Sequence, residues 1–330
     1  MTSFLTRSFA HICLLCSLGA LALAGDDIPD ALQKHLRAAG IREERVKFNA
    51  KKGLLVASGV GLSDLSLLKG LDLTALVLSG NDIVDLRPLK GRALTVLWLS
   101  RNRDLKDLSP LSGMPLRHLH IEMTSVPDLD ALSDSPINVL NVSGTPVADL
   151  APLKGMPLQT LCIDNTDVAD LIPLKDSPLR SIAARHTKVR DLSPLTNCPL
   201  QSLALDNSRV VILAPLAGMN ITSLRIDGTA VSDLTPLKGM PLDILSAART
   251  LIRDISALTG MPLRLLDISG TAVTDLSPLK NAPLERLSAS VRVIEKNADT
   301  LRKCPSLKSI NQWAIDWEEW NEKGVKVFRQ

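Results

Sequence analysis

The chain has 330 residues, 45% apolar and 22% charged, with 38 Lys and Arg against 35 Asp and Glu. That balance is globular and excludes a disordered or collagen-like chain. A net charge of +3 gives no chain-wide electrostatic case for nucleic acid or an anionic membrane.

Residues 1–24 have the pattern of a secretory signal: Arg7 in the leading region, an apolar run from Ile12 to Leu23, and Ala22-Leu23-Ala24 before a cut at Gly25. The apolar run is too short to span a bilayer, and no later stretch approaches ~20 uninterrupted apolar residues. The expected mature product is exported, periplasmic or extracellular, with no membrane span. Cys162, Cys198 and Cys304 remain in it, too few and too scattered for a disulfide framework.

Residues 25–53 read as an N-terminal helical cap. Pro29 suits the first turn of a helix, and Ile28, Leu32 and Leu36 recur on one face before Gly40. A worn first repeat follows from Leu54, and from Leu73 onward a unit of 21 residues recurs, Leu-x-x-Leu-x-Ile-x-x-Thr-x-Val-x-Asp-Leu-x-Pro-Leu-Lys-Gly-Met-Pro in its cleanest form. Its first position falls at Leu73, Leu94, Leu116, Ile137, Leu158, Leu179, Leu200, Ile221, Leu242, Leu263 and Leu284, with one extra residue between Asn102 and Leu105. A fixed period of this size means stacked supersecondary units, none of which can bury its apolar face alone.

Within Leu158-Gln159-Thr160-Leu161-Cys162-Ile163, alternation places Leu161 and Ile163 on one side of a short strand and Thr160, Cys162 and Asp164 on the other. Val168, Leu171 and Leu174, spaced by about three, suit a 3₁₀-like or irregular return, and Pro157 and Pro173 forbid a long helix there.

These residues resemble the leucine-rich repeat, whose Leu at 1, 4 and 6 and Asn at 9 are matched by Leu73, Leu76, Leu78, Asn81 and by Leu94, Leu97, Leu99, Asn102. From Thr124 onward Thr or Ser takes the Asn slot, so an inner hydroxyl ladder is the expected substitute. The Asp-Leu-x-Pro-Leu tail, as in Asp191-Leu192-Ser193-Pro194-Leu195, is similar to that of bacterial internalin-type repeats, and the Thr-slot version with Lys-Gly-Met-Pro linkers resembles exported repeat proteins of Planctomycetes-like bacteria. The resemblance implies an α/β solenoid: a curved leucine-rich-repeat horseshoe with a short-stranded parallel concave sheet, a mostly irregular or 3₁₀ convex side and helical caps at both ends. About 11–12 repeats fill residues 54–291. Residues 292–330 form the C-terminal cap, where Trp313, Trp317 and Trp320 would stripe a final helix.

On the concave face the central row reads Val77, Trp98, His120, Asn141, Cys162, Ala183, Ala204, Arg225, Ser246, Asp267 and Ser288. Eleven strands about 4.8 Å apart make a sheet roughly 50 Å across, a span suited to a macromolecular partner. Three features define candidate binding residues there. His118, His120 and Glu122 project together from one strand, near Asn141, Cys162 and Asp164, and form a weak metal candidate; a solvated polar face is the plainer reading. Asp164, Arg185, Asp206, Arg225, Asp227, Arg249 and Asp267 interleave charges that either pair along the sheet or select a partner. Trp98, the only aromatic of that face, lies near Arg101 and His120 in the composition of an interaction hot spot.

No nucleophile elbow, zinc-protease pair or phosphate-cradling loop occurs. The expectation is therefore an exported, monomeric, non-catalytic protein without a cofactor that binds an unidentified protein through its concave strands. The alternatives are an envelope scaffold without a dedicated partner and a sensor for a metal or saccharide.

Overall fold

The structure, a computed structural model, describes residues 27–311 and 313–315; the expected signal, Trp317 and Trp320 lie outside them. Its first compact unit ends at Leu179 and its second begins at Arg180.

The first unit opens with helix α1 (Asp30–Ala38). Leu32 and Leu36 are buried on its inner face, which accounts for the i, i+4 spacing seen in the sequence. Sequence reading did not anticipate what comes next: strand β1 (Lys47–Asn49) pairs antiparallel with β2 (Leu54–Val56), so the cap includes a hairpin. The repeats then supply β3 (Ala75–Val77), β4 (Val96–Trp98), β5 (His118–His120), β6 (Val139–Asn141) and β7 (Thr160–Cys162), each parallel to the one before. The extra residue after Asn102 is absorbed outside the strands, because Trp98 still stands opposite His120.

The second unit continues the pattern with β8 (Ser181–Ala183), β9 (Ser202–Ala204), β10 (Ser223–Arg225), β11 (Ile244–Ser246), β12 (Leu265–Asp267) and β13 (Arg286–Ser288), again parallel and in register. Short helices α2 (Val291–Lys296) and α3 (Ala298–Leu301) and strands β14 (Ser309–Ile310) and β15 (Trp313–Ala314) close the chain. Helix is thus present in the C-terminal cap, but earlier than the tryptophan stripe. Trp313 is a strand residue paired with Ile310, not the start of a helix.

One repeat explains the rest. Leu161 and Ile163 point into the core and are fully buried, as are Val168 and Leu174. After the strand the chain must turn sharply, and the residue before the Thr slot takes a left-handed conformation: Gly144 at φ 68°, but also Met123 at φ 60° and Arg249 at φ 54°. A Cβ at Gly144 would lie 2.8 Å from the sulfur of Met123, a contact that this exposed and flexible side chain can relieve by turning away, so the left-handed backbone is what calls for glycine. The return is a single 3₁₀ turn such as Ile172–Leu174. Its first N–H is held by the Asp two residues earlier, Ile172 N donating to Asp170 Oδ1 at 2.8 Å, a local alternative to helix that keeps the turn short.

The slot after the turn separates two kinds of repeat. Asn102 is fully buried; its Nδ2 donates to Leu78 O (3.1 Å) and Leu99 O (2.7 Å), and its Oδ1 accepts from Ile83 N (3.0 Å), binding two repeats together. Thr166 Oγ1 donates only to Ile163 O, 2.6 Å away in its own repeat, and Thr124, Thr145, Thr187, Thr229, Thr250 and Thr271 do the same. The expected hydroxyl ladder is therefore a row of separate latches, because a hydroxyl is too short to reach across. Asn102→Thr should keep the bond to Leu99 O, strand Ile83 N, and cost about 2–3 kcal/mol, read as a shift in the chemical denaturation midpoint.

Candidate functional site

Of the site residues drawn from the sequence, Trp98, His118, His120, Asn141, Cys162 and Arg225 lie on strands, and Arg101, Glu122, Asp164, Arg185, Asp206 and Asp227 lie in the turns that follow them. Strand pairing places Val77, Trp98, His120, Asn141 and Cys162 in one row of the first unit. Ala183, Ala204, Arg225, Ser246 and Asp267 form one row of the second. The register read from the 21-residue period is therefore the register of the sheet.

Exposure differs from expectation. Trp98 is only 7% exposed and packs with Leu54, Ala75 and Val77, against Val56 and Val96. An exposed hot-spot tryptophan is thus corrected to a buried one: Val77 and Val56 on the two preceding strands and Val96 on its own strand cover the indole. Its ring also meets His120, with centroids 4.9 Å apart and planes tilted by 38°. His120 is 1% exposed, Cys162 and Asp164 are buried as well, and Cys162 is not a free thiol, whereas Cys198 and Cys304 are. His118, Glu122, Asn141 and Arg185 are half-buried, and Arg101 is exposed.

Desolvation sets the chemistry of this cluster. Burial, and then the neighbouring His118, push the His120 imidazole down to about 4; burial and then Arg117 lower His118 too. Burial raises the Glu122 carboxyl, against a hydrogen bond from Ser100. At neutral pH His120 is uncharged, so its 3.9 Å approach to Glu122 is not an ion pair. Trp98 Nε1, His120 Nε2 and Glu122 Oε2 are buried without a hydrogen-bond partner. No three His, Cys, Asp or Glu among the described residues are arranged to hold a metal ion, so His118, His120 and Glu122 share a face without converging on one point.

The depressed His120 value makes an acid limb of stability. An unfolded histidine titrates near 6.5, so the stabilisation is complete above that pH and is lost as pH falls through about 4. Its size is on the order of 3 kcal/mol; the raised Glu122 carboxyl works in the opposite sense. Thermal melts of the native chain and of His120→Gln between pH 7 and pH 4 isolate the histidine part. The difference between them should narrow as pH falls, and a constant difference would sink the assignment.

In the second unit the interleaved charges pair. Arg225 is 6% exposed; its Nε donates to Asp206 Oδ2 and its Nη2 to Asp227 Oδ2, both at 3.0 Å. Asp206 Oδ1 also accepts from Asp227 N (3.1 Å), and Asp227 accepts from Ser246 Oγ (2.7 Å) and Ala248 N (2.8 Å). Arg225 Nη1 alone is buried and unpartnered. Asp206 stays above the usual carboxylate range because burial outweighs Arg225, and Asp267 is raised by burial as well.

A parallel sheet of three-residue strands, one per 21-residue unit, with 3₁₀ returns and an Asn or Thr at the turn, is the fold of leucine-rich-repeat proteins. No protein-family model and no curated protein matches the chain. Among solved structures it is similar to an internalin of Listeria monocytogenes, at 23% identity and a TM-score of 0.71 over 87% of this chain and 96% of that one. It is also similar to a leucine-rich repeat protein of Bacteroides eggerthii, at 13% identity and a TM-score of 0.53 over 74% of this chain and 53% of the other. A chain of the LRIM1/APL1C complex aligns at 15% identity and a TM-score of 0.55, over 78% and 56%.

Proposed function

We propose that this chain is an exported, non-catalytic interaction protein that binds a protein partner through its strand face. The observation that carries the reading is the pair of adjacent buried polar atoms left unpartnered on β4 and β5, Trp98 Nε1 and His120 Nε2, with half-buried His118 and Asn141 beside them. Such groups cost stability when unsatisfied, and a partner that displaces the side chains covering them would satisfy them. A fold that presents many aligned short strands supports a broad, protein-sized contact more than a small-molecule pocket. Export is supported by the Arg7, Ile12–Leu23 and Ala22-Leu23-Ala24 pattern.

Crosslinking capture from the exporting compartment tests both parts, with Trp98→Phe as the comparison. Phenylalanine keeps the ring among the valines and deletes only the N–H. Capture of a defined partner by the native chain, weakened several-fold by Trp98→Phe, is the expected result. Equal capture by both would remove the β4–β5 face from the interface, and a mature chain that still begins at Met1 would remove the export step.

A further inference from the structure

The clearest break in the repeat lies outside the strand face. In ten units the residue two before the 3₁₀ turn is Asp, from Asp64 and Asp85 through Asp191 to Asp233, Asp254 and Asp275, and each carboxylate accepts the N–H two residues on. In the repeat starting at Leu200 that slot holds Ile212, which is 65% exposed beside Val211 at 41%. Ser208 of the same repeat has lost the latch as well, its Oγ being buried and unpartnered. An isoleucine in this position gives up a cap and exposes a large aliphatic side chain, two costs with no return inside the fold.

The surroundings are equally irregular. Strands β8 to β11 stack in register, so residues at equal repeat positions line up in rows about 4.8 Å apart. Arg190 and Arg253 occupy the row of Val211, and Arg209 occupies the row of Leu251, which is 60% exposed. All three arginines are exposed, and none of their side chains makes a hydrogen bond or ion pair among the described residues. The acids of this edge, Asp191, Asp233 and Asp254, stay ionised and accept hydrogen bonds from the backbone N–H groups of Ser193, Thr235 and Ser256, and none of them pairs with these arginines. Earlier repeats put Ala148 and Ala169 in the row of Arg190, and Pro146, Asp167 and Lys188 in the row of Arg209, so the arginines are not a general feature of the unit.

We propose that this edge is a membrane contact. Ile212 and Val211 enter the headgroup and acyl boundary of an anionic bilayer, and Arg190, Arg209 and Arg253 meet lipid phosphates. Aliphatic side chains flanked by free cations are the composition of an interfacial anchor. None of Arg190, Arg209, Val211, Ile212 and Arg253 lines the cavity formed around Arg180, Asn197 and Met219, and a fluid surface conforms to a row of turn tips. The extent is about 15 Å across three repeat steps, enough for several headgroups.

Ile212→Asp tests this without endangering the fold, because it restores the residue that the other units use. Full-length chain is sedimented with vesicles of phosphatidylcholine alone and of phosphatidylcholine with phosphatidylglycerol. Every variant carries the same N-terminal segment, so any contribution from that segment cancels. The expected result is at least tenfold stronger binding to the anionic vesicles, weakened by salt. Ile212→Asp should lower it at least fivefold while melting no lower than the native chain, and Arg209→Gln with Arg253→Gln should lower it and flatten its salt dependence. Equal binding to both vesicle types, or binding untouched by Ile212→Asp, overturns the proposal. So does soluble poly-glutamate that binds as strongly as the vesicles, which would make the edge a site for an acidic polypeptide.

Discussion

Arg225→Ala should destabilise the second unit by about 3–5 kcal/mol, the usual cost of removing one partner from a buried ion network. The substitution leaves Asp206 and Asp227 facing each other with the guanidinium gone, and Asp206 already sits above the normal carboxylate range with its neighbour's charge among the causes. Without Arg225 that carboxyl rises further. An acid with a raised folded value contributes stability at low pH that is lost as pH rises through that value, so the defect should be greatest at pH 7 and smaller near pH 4. Calorimetric melts at the two pH values check this. A defect of equal size at both would mean that lost packing of the arginine stem, and not the stranded charge, is responsible. Replacing all three groups, as Asp206→Asn, Arg225→Met and Asp227→Asn, removes every charge while keeping acceptors for the N–H groups of Asp227 and Ala248, and should recover most of the loss.

The second large effect concerns Trp98. An exposed face residue could be cut to alanine at little cost. Because the indole lies among Leu54, Ala75 and Val77 and against His120, Trp98→Ala should cost about 3–5 kcal/mol. Trp98→Phe, which keeps an aromatic ring in the same place, should cost less than about 1.5 kcal/mol. Equilibrium denaturation of both variants separates the possibilities, and a Trp98→Ala chain with an unchanged midpoint would return the residue to the solvent side. The same pair of variants separates burial from recognition: Trp98→Phe is the one whose effect on a partner can be read without a folding defect.

Periodicity made the architecture legible because each repeat position has one environment. The step of 21 residues was enough to align Trp98 with His120 and Arg225 with Ser246, as the strand pairs have them. What the period could not carry is what occurs between rows. Whether Trp98 is covered depends on valines one and two strands away, and whether Arg225 is free depends on Asp206, nineteen residues earlier in the chain. The β1–β2 hairpin was missed because Lys47–Asn49 is three residues long and lies in a segment read as helical cap. The exposed edge at Ile212 was readable in principle, since an Ile stands in a column of Asp. A net charge averaged over the chain hides three arginines gathered on a few neighbouring turns.

The asparagine cross-links have a consequence for the order in which the array comes apart. Asn81 and Asn102 fasten repeats to one another near the beginning. Near the end Asn297 accepts from Leu276 N and donates to Thr274 O, and Asn311 accepts from Ala289 N. A linear stack loses its outermost members first, because each has a neighbour on one side only. Here the outermost members are the ones riveted to their neighbours, while the latched threonine repeats lie inside. Fraying is restrained where it would start, whereas the threonine of an interior unit such as Thr145 or Thr229 fastens only its own turn.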